Sequence, residues 1–321
     1  MNNSIAEILA NSFQQLYRRK LTTSSGGNLS MKDGDKIWVS PSAKDKAYLE
    51  TEDFIPVCYD GSCPGNKKVS METPFHLALY KAYPNTKAIC HVHPKISVAL
   101  SLINIDEIKP ILTRYNLGFA NYAIPGSIQL GENIVKAFDG DVDAVVMQNH
   151  GIIFKGDHIE GLLPKVRELE LSLASEYDLS VDMSLKEVIS KDESEAFYQW
   201  RIKEYLSMDS NFSKCDQEYL LTANIPKLKQ YLDEFKELNT AIIPESHIIL
   251  NDLTFDDSQM SSVILNRNGD VQIKGKSLYQ CYDKLEVLSF TLEVLEIARS
   301  MGDLNYLSNT QISELNKKFL S

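Results

Sequence analysis

The stretch Ala88 to Pro94, A-I-C-H-V-H-P, constrains this 321-residue chain more than any other. It is an apolar run in which two histidines stand one residue apart. Strand side chains alternate faces, so His91 and His93 project together while Cys90 and Val92 point the other way. Such a pair is half of a metal site. On its own it selects no ion, because imidazoles suit zinc, copper, iron and nickel alike. Two further residues add to it. Glu72 precedes a segment with helical signals, and His150 closes a second apolar run, D-A-V-V-M-Q-N-H-G, just before Gly151. Three neutral imidazoles with one open position make a catalytic zinc geometry, and a nearby carboxylate can fill that position or act as a base. The other histidines, His76, His158 and His247, have no partner at metal-ligand spacing and read as ordinary.

Local signals lay out the elements around this strand. Ser4 with Glu7 forms a capping box, and Ile5, Ile8, Leu9, Phe13, Leu16 and Tyr17 follow at helical spacing to about Lys20. Asp33-Gly34 predicts the turn of a hairpin that ends near Ser40, and 54–59 reads as another strand. Thr73 as cap and Pro74 in the first turn predict a helix to about Tyr83, and Pro94 starts another through Leu102. The polar stretch that follows, to Gly126, is expected to carry strands. A helix over 130–138 then leads to a hairpin of 144–147 with 152–155, with His150 at its tip. The helix predicted over 157–177 contains Pro164, which lacks an amide donor and should distort it. Lys44 and Lys46, in a loop, read as solvated.

Composition sets outer limits. Lysine and arginine total 33 against 44 acidic residues, a formal charge of -11, which argues against a nucleic-acid surface. Any phosphate site must be a local exception. The five cysteines form no CxxC pair, and no run of eighteen apolar residues or N-terminal apolar segment occurs. The expectation is a cytoplasmic protein with reduced thiols and no membrane segment.

Five motifs together resemble the class II aldolase and adducin family: S-S-G-G-N-L-S at 24–30, S-P-S-A at 40–43, S-M-E-T-P at 70–74, H-V-H-P at 91–94 and Q-N-H-G at 148–151. The resemblance covers roughly residues 1–180. It implies an α/β fold of three layers, α/β/α, around a largely antiparallel sheet, assembled as a homo-oligomer with a homotetramer favoured. It also implies a divalent metal, zinc foremost, held by His91, His93 and His150, with Glu72 as acid/base. The implied substrate is a keto-sugar phosphate, cleaved in a retro-aldol reaction through a metal-stabilised enediolate. The implied phosphate pocket comprises Gly27, Asn28, Ser42, Ala43, Ser70 and Met71. Ala43 stands where the family usually has glycine, and Met71 where it usually has a second hydroxyl residue. Tyr115 lies in the region where the aldolases place a tyrosine that serves a neighbouring subunit. Epimerase or dehydratase chemistry on a similar substrate is the alternative. A non-catalytic adducin-like module is a third reading, disfavoured because all three histidines are present.

The length suggests more than one average domain. The expected division is a catalytic domain over 1–185, a helical connection over 186–239, and a smaller α/β extension over 240–321 that is a partial repeat. Val145-Val146-Met147 reappears as Val263-Ile264-Leu265 and Gly151 as Gly269, then Lys155, Gly156, Lys165, Leu169 and Leu173 as Lys274, Gly275, Lys284, Leu288 and Leu292. In that copy Asn268 replaces His150, so the repeat is expected to lack metal chemistry.

Overall fold

The computed structural model describes residues 4–63, 68–215, 217–235, 238–255 and 261–321. They divide into two units, Met1–Leu185 with Ile297–Tyr306, and Lys186–Glu296 with Leu307–Ser321.

The first unit opens with α1 (Ile5–Arg18), where Ser4 Oγ accepts the Glu7 amide at 3.2 Å and Leu9, Phe13, Leu16 and Tyr17 are buried. Next come β1 (Asn28–Asp33), β2 (Lys36–Val39), β3 (Ile55–Cys58), α2 (Thr73–Ala82), β4 (Ala88–Val92) and α3 (Lys95–Ser101). Then follow α4 (Ile105–Arg114), β5 (Leu117–Ala120), α5 (Ile128–Ala137), β6 (Ala144–Met147), β7 (Gly151–Gly156) and α6 (Ile159–Glu176). The seven strands run in the order β3-β2-β1-β4-β7-β6-β5, and of these pairs just β5 with β6 is parallel. Helices α2 and α5 cover one face through Phe75, Leu79, Tyr80, Leu130, Ile134 and Phe138, packed on Ile37, Val39, Ile89, Val145 and Ile153. Helices α1, α3 and α6 cover the other. Each such side chain contributes about 1.5–3 kcal/mol when removed from water, so a sheet apolar on both faces is stable only between two helical layers.

That layering decides the setting of the histidines. Strand β4 lies at the centre of the sheet and is buried at every position. Polar groups taken into such a place must be partnered, because an unpaired one costs several kcal/mol, of order 2–7.

The stretch after Leu102 departs from expectation. It forms α4 and one strand, because Ile108, Ile111 and Leu112 recur at helical spacing and Asn104 caps the first turn through the Asp106 amide at 3.1 Å. Pro110 inside this helix masks the pattern. Pro164 likewise sits within α6, which continues unbroken to Glu176. Lys46 is also not solvated: its Nζ donates to the Pro41 carbonyl at 2.7 Å and its side chain is buried beside Phe13.

The second unit contains α7 (Glu195–Arg201), continued by a π-helical turn over Ile202–Leu206, then β8 (Ser210–Cys215), β9 (Glu218–Asn224), α8 (Pro226–Phe235) and α9 (Pro244–Ile249). After these come β10 (Leu253–Thr254), β11 (Val263–Leu265), β12 (Asp270–Gly275), α10 (Leu278–Met301), whose residues from Ile297 on belong to the first unit, and α11 (Asn309–Phe319). The expectation of a purely helical connection over 186–239 is therefore corrected. Residues 218–224 alternate, burying Leu221 and Ala223, and this period of two pairs β9 with β8 and β12.

The smaller sheet has the order β10-β11-β12-β9-β8, with β10 and β11 parallel and the remaining pairs antiparallel. Taken in order across the sheet, these strands repeat the arrangement of β5, β6, β7, β4 and β1, without counterparts of β2 and β3. Register carries the comparison to single residues. Gly275 pairs with Tyr219 as Gly156 pairs with Ala88, and Gln272 pairs with Thr222 as Ile153 pairs with His91. Thr222, Asn224 and Gly269 thus stand where the first unit has His91, His93 and His150, and Asn268, expected at the His150 position, falls instead at that of Asn149, because Val145 and Ile264 occupy the same register. No helix among the described residues is long and apolar enough to cross a membrane.

Candidate metal centre

Two strands and a turn bring the three histidines together. His91 lies in β4, His93 follows it on the same face, and His150 ends the tight turn between β6 and β7. Their ligand atoms lie within 4.8 Å of one another, and all three residues are buried. The ring centroids of His91 lie 4.8 Å from those of His93 and 4.9 Å from those of His150. His91 Nδ1 lies 3.0 Å from the Ile152 carbonyl. A carbonyl can only accept, so Nδ1 carries the hydrogen and Nε2 keeps its lone pair for the cluster. His93 Nε2 faces that nitrogen at 3.1 Å.

Glycines make the approach possible at two places. A Cβ on Gly151 would sit 2.6 Å from His93 Cδ2, and one on Gly27 would sit 2.6 Å from the His91 carbonyl. Gly27 also has φ +71°, a conformation that L side chains rarely adopt.

Glu72 completes the cluster from the opposite side. Helix α2 begins one residue earlier than the Thr73 cap predicts, so Glu72 occupies the capping position, yet its side chain makes no capping bond. It turns inward, with Oε2 3.3 Å from His91 Nε2 and Oε1 3.2 Å from His150 Nε2. Asn28 Nδ2 donates to Oε2 at 2.7 Å, while Oε1 is buried and accepts no hydrogen bond. Burial raises the Glu72 carboxyl, but positive charge at His150 and His91 outweighs it and holds the group well below the usual carboxylate range. A buried carboxylate with one oxygen beside His150 and the other beside His91, next to a cluster of three imidazoles, fits a divalent cation of the kind that takes nitrogen and oxygen ligands.

His76, read as ordinary in sequence, belongs to this site. Its Nε2 is hydrogen-bonded to Asn28 Oδ1 and its Nδ1 lies 2.7 Å from Ser30 Oγ, which in turn lies 2.9 Å from Tyr80 OH. The available signal was spacing: His76 is one helical turn after Glu72, and Ser30 shares a strand face with Asn28.

The loops assigned to the phosphate pocket also meet. Pro41 bridges Val69, Ser42 donates its amide to Lys68 O at 3.1 Å, and Ser70 donates to Ser40 O at 3.1 Å. The Lys46 amide donates to Ser24 O at 2.8 Å and Ser40 Oγ accepts the Leu29 amide at 3.2 Å, tying in the Gly27–Asn28 turn. Ser70 Oγ accepts the Glu72 amide at 3.3 Å, Met71 is exposed, and Ala43 adopts φ +53°, which explains why glycine suits that place. Asn28 is less available than expected, since Glu72 and His76 already engage both ends of its amide. Tyr115 is not part of this cluster: its hydroxyl donates to Ser172 O and Glu176 Oε2, both at 3.3 Å, on α6.

The chain is similar to known proteins over its first half. Residues 7–176 match the family described as Class II Aldolase and Adducin N-terminal domain. An L-fuculose phosphate aldolase from Methanocaldococcus jannaschii is 34% identical over 161 residues, which span 49% of this chain and 87% of that protein. A 3-oxo-tetronate 4-phosphate decarboxylase from Haemophilus influenzae is 30% identical over 175 residues, spanning 51% and 82%. Among solved structures, an L-fuculose-1-phosphate aldolase from Thermus thermophilus superposes with a TM-score of 0.45 at 18% identity, covering 53% of this chain and 91% of that one.

Proposed function

Since the chain belongs to the class II aldolase and adducin family, we propose that its first unit is a divalent-metal lyase of the zinc type that breaks a carbon–carbon bond in a keto-sugar phosphate. The observation that carries this reading is the Glu72 carboxylate, buried and ionised, with one oxygen bonded to Asn28 and the other facing the imidazole cluster. His91, His93 and His150 would hold the ion. When bound, it supplies Lewis acidity toward the substrate's adjacent oxygens. Glu72 then handles the proton. In the condensing direction it removes the hydrogen from the carbon beside the ketone, and in cleavage it returns that proton to the carbon left electron-rich when the bond breaks. Asn28 keeps Oε2 in place, so Oε1 is the oxygen that faces the substrate. Gly27, Ser42, Ala43, Ser70 and Met71 bind the phosphate end, and Tyr115 serves the site of a neighbouring subunit in a homotetramer. The second unit has Thr222, Asn224 and Gly269 at the ligand positions. It is a degenerate copy that provides packing or assembly surface and no chemistry.

The decarboxylase relative favours a second reading. Loss of carbon dioxide from a 3-oxo acid phosphate leaves a comparable electron-rich carbon, and Glu72 would protonate it in the same way. A small panel of keto-sugar phosphates and 3-oxo acid phosphates separates the two by product. Glu72→Gln keeps size but cannot accept a proton, so turnover should fall by about 10² to 10⁴-fold with little loss of metal. The same change should abolish exchange of a carbon-bound hydrogen of dihydroxyacetone phosphate with deuterated buffer, followed by proton NMR. Exchange that survives in Glu72→Gln would exclude it as the base. His150→Ala should strip most of the metal by elemental analysis while the circular dichroism spectrum is kept. Undiminished metal in that variant would remove the site.

A further inference from the structure

We propose that the segment Gly302–Tyr306 is a brace that holds the His150 turn in the shape needed to present this ligand, acting through Asn149 and resting on the reading of His150 as a metal ligand. The segment lies far outside the family match over residues 7–176, yet it packs as part of the first unit.

The turn between β6 and β7 is Gln148-Asn149-His150. Asn149 has φ +50°, a region that asparagine and glycine tolerate better than other residues, and its side chain is buried. Its backbone amide donates to Ser101 O at 3.0 Å, at the end of α3. Its side-chain Nδ2 donates to the main-chain carbonyl of Asn305 at 2.6 Å.

Asn305 is itself fixed to the same helix end, because its own amide donates to Leu102 O at 2.6 Å. One residue earlier, Leu304 bridges Ile103, and the Asp303 amide donates to Glu107 Oε2 at 3.3 Å. The two sides of the arrangement therefore share one support. Helix α3, which begins just after His93, ends at the residues that hold both Asn149 and Asn305. A buried amide that reaches a main-chain acceptor leaves its own backbone little freedom, and here that backbone carries His150 as the next residue. The part of the chain that secures the third ligand thus comes from sequence beyond the family domain.

The main-chain character of the acceptor supplies the test. Asn305→Ala keeps both the amide and the carbonyl, Asn305→Pro removes the amide bonded to Leu102, and Asn149→Gly keeps the left-handed turn while deleting the donor. In the full chain without metal, hydrogen exchange at the Asn149 and His150 amides should quicken in Asn149→Gly and Asn305→Pro and stay unchanged in Asn305→Ala. Zinc affinity, measured by competition with a chromophoric chelator, should weaken about 10 to 100-fold in the first two, the usual effect of losing a group that orients a ligand. If Asn305→Pro does not fold, Asn149→Gly decides. Unchanged exchange in Asn149→Gly would overturn the brace, and faster exchange with unchanged zinc affinity would overturn its role in presenting His150. Faster exchange in Asn149→Gly together with a wild-type chain that binds no zinc would uphold the brace and count against the metal reading alone.

Discussion

Asn28 has an acceptor and a donor at the end of one short side chain, and the site uses both. Because Nδ2 donates to Glu72, Oδ1 must accept from His76 Nε2, which leaves His76 Nδ1 as the acceptor for Ser30 and Ser30 Oγ as the acceptor for Tyr80. Burial and then the neighbouring His91 push the His76 ring down to about 3, so it is neutral and this tautomer is kept. Every donor in the chain points toward the carboxylate. His76→Leu would leave Asn28 Oδ1 and Ser30 Oγ buried without these partners, at a stability cost of about 1–3 kcal/mol for each. Deuterium exchange of the substrate should slow about 10 to 100-fold while metal content holds, and His76→Gln should recover part of the rate by restoring one donor to Asn28. An exchange rate equal to wild type in His76→Leu would reduce the chain to a packing feature.

At the scale of elements, what matters is how α3 is held behind the histidine strand. Glu170 of α6 accepts the amides of Ile96 at 3.1 Å and Ser97 at 2.8 Å, and also the Ser97 hydroxyl, at the first turn of α3. Burial pushes this carboxyl up from 4.5 to about 7, although the Ser97 and Ile96 donors and Lys95 pull the other way. The folded state therefore binds this proton more tightly than the unfolded chain does. Stability should fall as pH rises from about 4.5 through 7, and the loss should be complete above that window. Glu170→Gln does not titrate, so the urea midpoint of wild type minus that of the variant should shrink between pH 5 and pH 8. A difference that does not change with pH would show that Glu170 has an ordinary proton affinity.

For the whole molecule, two sheets share one strand plan and only one has the ligands. If the second unit is a degenerate copy, Asn268→Ala should leave turnover per folded enzyme nearly unchanged, with metal content also intact. A large specific loss would mean that this unit contributes to the site. The assembly reading predicts a light-scattering mass four times the 36.3 kDa of the chain. A monomer with full activity would exclude a site that borrows Tyr115 from a neighbour.

The sequence by itself determined the features that depend on local periodicity. The two-residue period put His91 and His93 on one face, the hairpin placed His150 at its tip, and the Ser4 side-chain cap started α1, without the return bond from Glu7 that a full capping box would add, because each needs only neighbours in the chain. The family domain was legible for the same reason, through short motifs in order. Strands β8 and β9 were not, because their apolar alternation is brief and becomes a strand signal only beside β12. Tertiary structure alone decided that His76 backs Glu72 through Asn28, that Lys46 is buried against Pro41 and that Asn305 holds Asn149. Two of these pairs are distant in the chain, 48 positions between Asn28 and His76 and 156 between Asn149 and Asn305, and Lys46, though only 5 positions from Pro41, is buried beside Phe13 of α1. Periodicity states which way a side chain points from its own element. It carries no information about which distant backbone will be there to meet it.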